Sequence, residues 1–176
     1  PISRTGIIFG KAIGGCVTAI IQGIILLLLS PFLGITITPL IALKYFLLII
    51  PLALSLSGLG IFVATRMRSQ QGFQMVMQLL IFPLIFLSGV FFPVDNVPTW
   101  LQLLAKLNPL TYGVDSIRQL FLAQDAATMM LYESVDSGLG ITVAGYKMGI
   151  LEDVLVMVVL GCFLLSAAVW SFNRQE

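Results

Sequence analysis

Asp115 and Arg118 stand three residues apart in the run NPLTYGVDSIRQ, the spacing at which side chains meet on one face of a helix. On an exposed helix such a pair contributes only about 0.3 kcal/mol. In a helix that dips into a bilayer it neutralises itself in a dry place and becomes structural. The other side chains able to do chemistry are amides and hydroxyls set deep in apolar runs: Gln22, Gln74 and Gln78, with Ser55, Ser57 and Ser88 as weaker companions. In hydrocarbon they must hydrogen-bond between helices or line a path for a polar part of some cargo. Other chemistry is scarce. The absence of histidine excludes imidazole acid-base work and histidine-ligated zinc. Cys16 and Cys162 both lie in apolar runs and read as packing residues. The acidic residues beyond Ala123 fit no metal-loop spacing, and no GxxxxGK[ST] loop offers a nucleotide site.

The elements that must hold these residues are set by composition. Of 176 residues, 59% are hydrophobic and 10% charged, against about a quarter charged in soluble domains. Mean hydropathy is +1.06. The chain is therefore expected to be an all-α integral membrane protein, and a net charge of +1 argues against a nucleic-acid partner. The first residue, Pro1, and the polar opening PISRTG do not form a secretory signal, so the chain reads as part of a longer protein.

Four runs are long enough to cross a bilayer, at about 7–32, 40–64, 73–92 and 154–172. Arg4 and Lys11 flank the start of the first, Arg66 and Arg68 fill the loop between the second and third, and Arg174 follows the last. Basic residues favour the cytoplasmic side, so both ends of the chain are expected there and the segment 93–153 outside. Lys44 is the exception, and its stem can carry the ammonium to the interface. No Asp, Glu or Arg falls inside these four runs. Ion-coupled carriers usually bury one, so the energy source is expected on another chain.

Within the runs, Pro51 and Pro83 predict bends, used for packing or as flexing points. Gly6, Gly10 and Gly14 form a small-residue face suited to close helix packing. Outside, Pro98 opens a helix over about 98–107 with Trp100 at its start, where an indole suits the membrane boundary. Asn108 caps a second helix over about 109–122, with Val114, Ile117 and Phe121 as its apolar face and Asp115 and Arg118 opposite. A modest strand tendency lies at 141–146.

The combination of GLGIFVATRMRSQQGFQ, FPLIFLSGVFFP, PTWL and NPLTYGVDSIRQ resembles the type-2 ABC export permeases, most nearly the daunorubicin-resistance type. The resemblance implies a six-span fold of which this chain holds the last four spans, with re-entrant external helices before the final one. It implies a permease that moves a drug, lipid or glycan out across a bacterial cytoplasmic membrane. The permease binds no cofactor; ATP and Mg sit on a separate ABC ATPase subunit, and a second permease copy completes the pathway. By position, Arg4, Thr5, Arg66, Arg68 and Ser69 would face the ATPase. Gln22, Gln74, Gln78 and Ser88 would line a substrate path, and Trp100, Asn108, Asp115 and Arg118 would belong to the re-entrant segment. The competing expectations are a non-transporting membrane scaffold, an intramembrane enzyme, disfavoured by the lack of histidine and of acid pairs in the spans, and a secondary carrier.

Overall fold

The computed structural model describes residues 4–33, 37–91, 98–122, 142–143 and 146–173. Four helices are long and apolar enough to span a membrane. They are α1 (Arg4–Leu29, continued by a 3-10 turn at Ser30–Leu33), α2 (Pro39–Ala64), α3 (Gln70–Leu87) and, last in the chain, α6 (Ile150–Asn173). Two shorter helices, α4 (Thr99–Lys106) and α5 (Pro109–Leu122), precede a minimal antiparallel hairpin of β1 (Thr142–Val143) and β2 (Tyr146–Lys147). The fold is an all-α membrane protein apart from that hairpin. Most of the loop expected between α5 and the last span lies outside the described residues.

Local signals account for the helix ends. Pro39 sits in the first turn of α2, where its missing N–H costs nothing. Ser69 caps α3 by accepting from the Gly72 amide at 3.1 Å. The α6 start is a half capping box, in which the Glu152 carboxylate accepts from the Gly149 amide at 3.0 Å. That cap places the helix start at Ile150 and brings Glu152 and Asp153 into its first turn. The helix thus starts four residues before the span expected from about 154, and Asp153 in its first turn is wholly buried.

The helices pack where small residues let backbones approach. The most extensive pairing is α2 with α6. A Cβ on Gly161 would stand 2.8 Å from the Ser55 hydroxyl oxygen, and one on Gly58 would stand 3.1 Å from the Leu165 amide. The Ser55 hydroxyl lies 2.7 Å from the Met157 carbonyl and 2.8 Å from that of Pro51, so one donor serves two helices. α1 lies on α2 through Gly15, against Ser57, and Gly23, against Ile49. The expected face of Gly10 and Gly14 is open, with nothing within 4 Å of an added Cβ among the described residues. One apolar cluster, of Ile8, Ala12 and Leu165, ties α1 to α6 near the Arg66 end of the bundle; a second, of Tyr112 and Met157, ties α5 to α6 near the opposite end. The helices α2 and α3 run through Pro51 and Pro83 without a break. No residue of α3 is buried.

Candidate functional site

The densest polar construction surrounds α5. A helix leaves its last carbonyls without intrahelical donors, and in an apolar setting they must be met by side chains. α5 meets those of α3. The Asn108 side-chain amide donates to the Leu84 carbonyl at 2.7 Å and accepts from the Leu110 amide at 3.0 Å. The Thr111 hydroxyl lies 3.2 Å from the Leu87 carbonyl and 2.8 Å from that of Ala105 in α4. The Arg118 guanidinium donates to the Gly89 carbonyl at 2.7 Å. Gly89 takes a φ of 80°, which ends the helix and which a side chain would strain. The Tyr112 hydroxyl closes α4 by donating to the Lys106 carbonyl at 2.8 Å. Burial, and next the Asp153 carboxylate, push that phenol above its ordinary range, so it remains a neutral donor.

These contacts turn α5 against the sequence expectation. Thr111, Tyr112, Asp115 and Ser116 face inward and are buried, whereas Val114, Ile117 and Phe121 are only half-buried. The physical reason is that the inward polar atoms find partners on helix ends, while apolar side chains lose nothing against hydrocarbon.

The centre of this face is acidic. Asp115 is 3% exposed and Asp153 0%. The Gln119 amide nitrogen lies 3.0 Å from an Asp115 oxygen, 3.1 Å from the Met148 carbonyl and 3.5 Å from an Asp153 oxygen. The Ser116 hydroxyl donates to that same Asp153 oxygen at 3.1 Å. The second Asp153 oxygen has no hydrogen-bond partner among the described residues. The sequence places Asp153 at the end of the expected external segment 93–153 and does not single out Ser116 and Gln119. Glu152 and Asp153, three and four residues after Gly149, were the available signal, since first helical turns favour acidic residues.

At the other end of the bundle, the Arg66 Nε donates to the Ser171 hydroxyl at 2.8 Å, and the Thr65 hydroxyl lies 3.0 Å from the same oxygen. The Arg66 guanidinium carbon stands 5.7 Å from the centre of the Phe62 ring. Both arginines are exposed, but Arg66 is tied to the α2–α6 junction, whereas Arg68 makes no side-chain bond among the described residues. Thr5 is exposed on α1 and lines a groove with Cys162 and Trp170; the Arg4 side chain lies outside the described residues. Ser69 serves as the α3 cap.

The proposed path residues are not brought together. Gln22 on α1 and Gln74 and Gln78 on α3 are exposed on the bundle surface, and Gln78 lines a shallow groove with Phe82 and Pro83. Ser88 is buried and donates to the Ile85 carbonyl of its own helix at 2.6 Å. Trp100 is 64% exposed on α4, beside Leu103 and Leu104.

Four helices able to span a membrane, with two short helices packed at one end, define a multi-pass membrane protein. Residues 1–122 match the family of the ABC-2 type transporters, and the chain belongs to that family. It is 32% identical over 141 residues to the Escherichia coli K12 protein named "Probable multidrug ABC transporter permease YbhR", covering 77% of this chain and 36% of that protein. To nodulation protein J of Rhizobium leguminosarum bv. viciae it is 36% identical over 96 residues, 54% of this chain and 37% of that protein. The chain thus spans about a third to a half of the length of the relatives it matches. No solved structure gives a significant match.

Proposed function

We propose that this chain forms the later spans of a permease subunit of an ATP-binding-cassette exporter. The observation that carries the reading is the family match over residues 1–122, which takes in α1 to α3 and the α4–α5 cap together. ATP hydrolysis, with its Mg, is assigned to a separate ABC ATPase. The cargo is a hydrophobic or amphiphilic molecule, a drug, lipid or glycan, leaving through a bacterial cytoplasmic membrane. Both ends of the chain lie in the cytoplasm in this reading, and the α4–α5 cap lies outside. A second permease copy supplies the other wall of the pathway.

The exposed Gln22, Gln74 and Gln78 suit the two-copy arrangement, because amides on a lipid-facing surface cost free energy that a facing subunit or cargo removes. The loop carrying Arg68 is the docking surface for the ATPase. The test is an affinity pull-down of the tagged full-length protein from mildly solubilised native membranes. A co-purifying, vanadate-sensitive ATPase is expected. Recovery of intact permease alone from several mild detergents would favour a non-transporting scaffold.

A further inference from the structure

All four spanning helices contribute to one cavity of about 350 Å³ near the Arg66 end of the bundle, within the size range of small-molecule sites. It lies beside the contact of α1 with α2. At Gly15 the two helices touch through the Ser57 side chain, and one turn nearer the start of α1 stands Lys11. Beside that crossing, Ile8 and Lys11 of α1 line the cavity together with Ser57 and Ile61 of α2, with Phe73 of α3 and Phe172 of α6 completing the wall.

The charge content of this wall is one-sided. Lys11 is its only charged residue. It lies seven residues after Arg4 on a spanning helix, roughly 10 Å along the axis at 1.5 Å per residue. Lys11 is exposed at the edge of the cavity and no carboxylate of the described residues pairs with it; on a spanning helix an ammonium is costly without an anion or water. The Ser57 hydroxyl, on the neighbouring turn, also has no hydrogen-bond partner among the described residues, although a serine inside a helix commonly bonds back to its own chain. The remaining wall is aliphatic and aromatic. A cavity with an unmatched cation, a spare hydroxyl and an apolar remainder is complementary to a molecule with one acidic head and an aliphatic tail.

We propose that this cavity binds an anionic amphiphile from the adjoining membrane leaflet, its acidic head on Lys11 and Ser57 and its chain against Ile61, Phe73 and Phe172. Lys11 reaching past the cavity to the interface on its own stem is the competing arrangement, and it predicts no preference for charged over uncharged amphiphiles. The proposal concerns binding and stands whether or not an ATPase partner is found.

The experiment uses the full-length protein in nanodiscs of neutral lipid, labelled with a photoactivatable fatty acid and mapped by mass spectrometry. Palmitate, palmityl alcohol and inorganic phosphate serve as competitors. Cross-links are expected on peptides from α1 and α2. Palmitate should compete, the alcohol should be at least about tenfold weaker, as befits loss of one charge-assisted hydrogen bond, and phosphate alone should not compete. Lys11→Gln should weaken labelling by about the same factor, with Lys11→Arg restoring most of it. Gly60 also lines the cavity and has nothing within 4 Å of an added Cβ, so Gly60→Leu should fill the space and abolish labelling without touching the charge. It gives an independent reading should Lys11→Gln fail to purify. Equal competition by acid and alcohol, displacement by phosphate alone, labelling unchanged in Lys11→Gln or Gly60→Leu, or cross-links confined to other helices would each overturn the proposal.

Discussion

Asp115 on α5 and Asp153 on α6 each present an oxygen to a single amide nitrogen, that of Gln119, at 3.0 and 3.5 Å. Two carboxylates that converge on one neutral donor in a buried place repel each other unless charge is removed or matched. The same pair joins α5 to the last span, so it sets how α5 sits on the bundle.

Removing the charge while keeping the shape should therefore cost little. Asp153→Asn is expected to leave the thermal midpoint of the detergent-solubilised full-length protein unchanged or raised. Asp153→Leu strands the Ser116 hydroxyl and takes one acceptor from Gln119, and should lower stability by about 1–3 kcal/mol. Equal destabilisation by both would show that the charge itself is needed.

Asn108 holds the end of α3 through the Leu84 carbonyl. Asn108→Ala leaves that carbonyl and the Leu110 amide without their partner, at an expected cost of about 1–3 kcal/mol. Faster hydrogen exchange should be confined to the α3–α4 end of the molecule. Uniformly faster exchange would mean that Asn108 supports the whole bundle instead.

The α2–α6 crossing makes a claim about non-additivity. Gly161→Ala places a methyl 2.8 Å from the Ser55 hydroxyl oxygen but 3.4 Å from the Ser55 Cα. The single substitution should cost about 1–3 kcal/mol by overpacking. In the Ser55→Ala background the same change should cost at least about 1 kcal/mol less, a coupling that a double-mutant cycle measures directly. Additive effects would show that the helices shift apart instead of clashing.

Arg66 and Arg68 are separable by their surroundings. Arg66→Glu breaks the bond to Ser171 and the ring contact with Phe62, so both stability and ATPase co-purification should fall. Arg68→Glu should weaken co-purification alone, because Arg68 is exposed and bonded to no described residue. Cysteine accessibility in the same variants must show unchanged topology, since loop arginines also set orientation. Full ATPase recovery with Arg68→Glu would remove this loop from the docking surface.

The sequence by itself determined that this is a multi-pass helical membrane protein, and its motifs already indicated the family. Both properties are local: a run of apolar residues specifies a span wherever it occurs, and proline, asparagine and serine mark helix starts through their own backbone chemistry. The two short helices α4 and α5 were legible for the same reason. Tertiary structure decided which polar groups meet. Asp153 became a buried partner of Ser116 only through the placement of α5 on α6, and Lys11 became a cavity wall only because residues of α2, α3 and α6 meet beside it. The Gly10 and Gly14 face, which reads as a packing stripe, stayed open because crossing points depend on which face a neighbour presents. Hydropathy sums over residues close in the chain, whereas these contacts join residues from separate helices, and no local pattern encodes the rotation of one helix against the next.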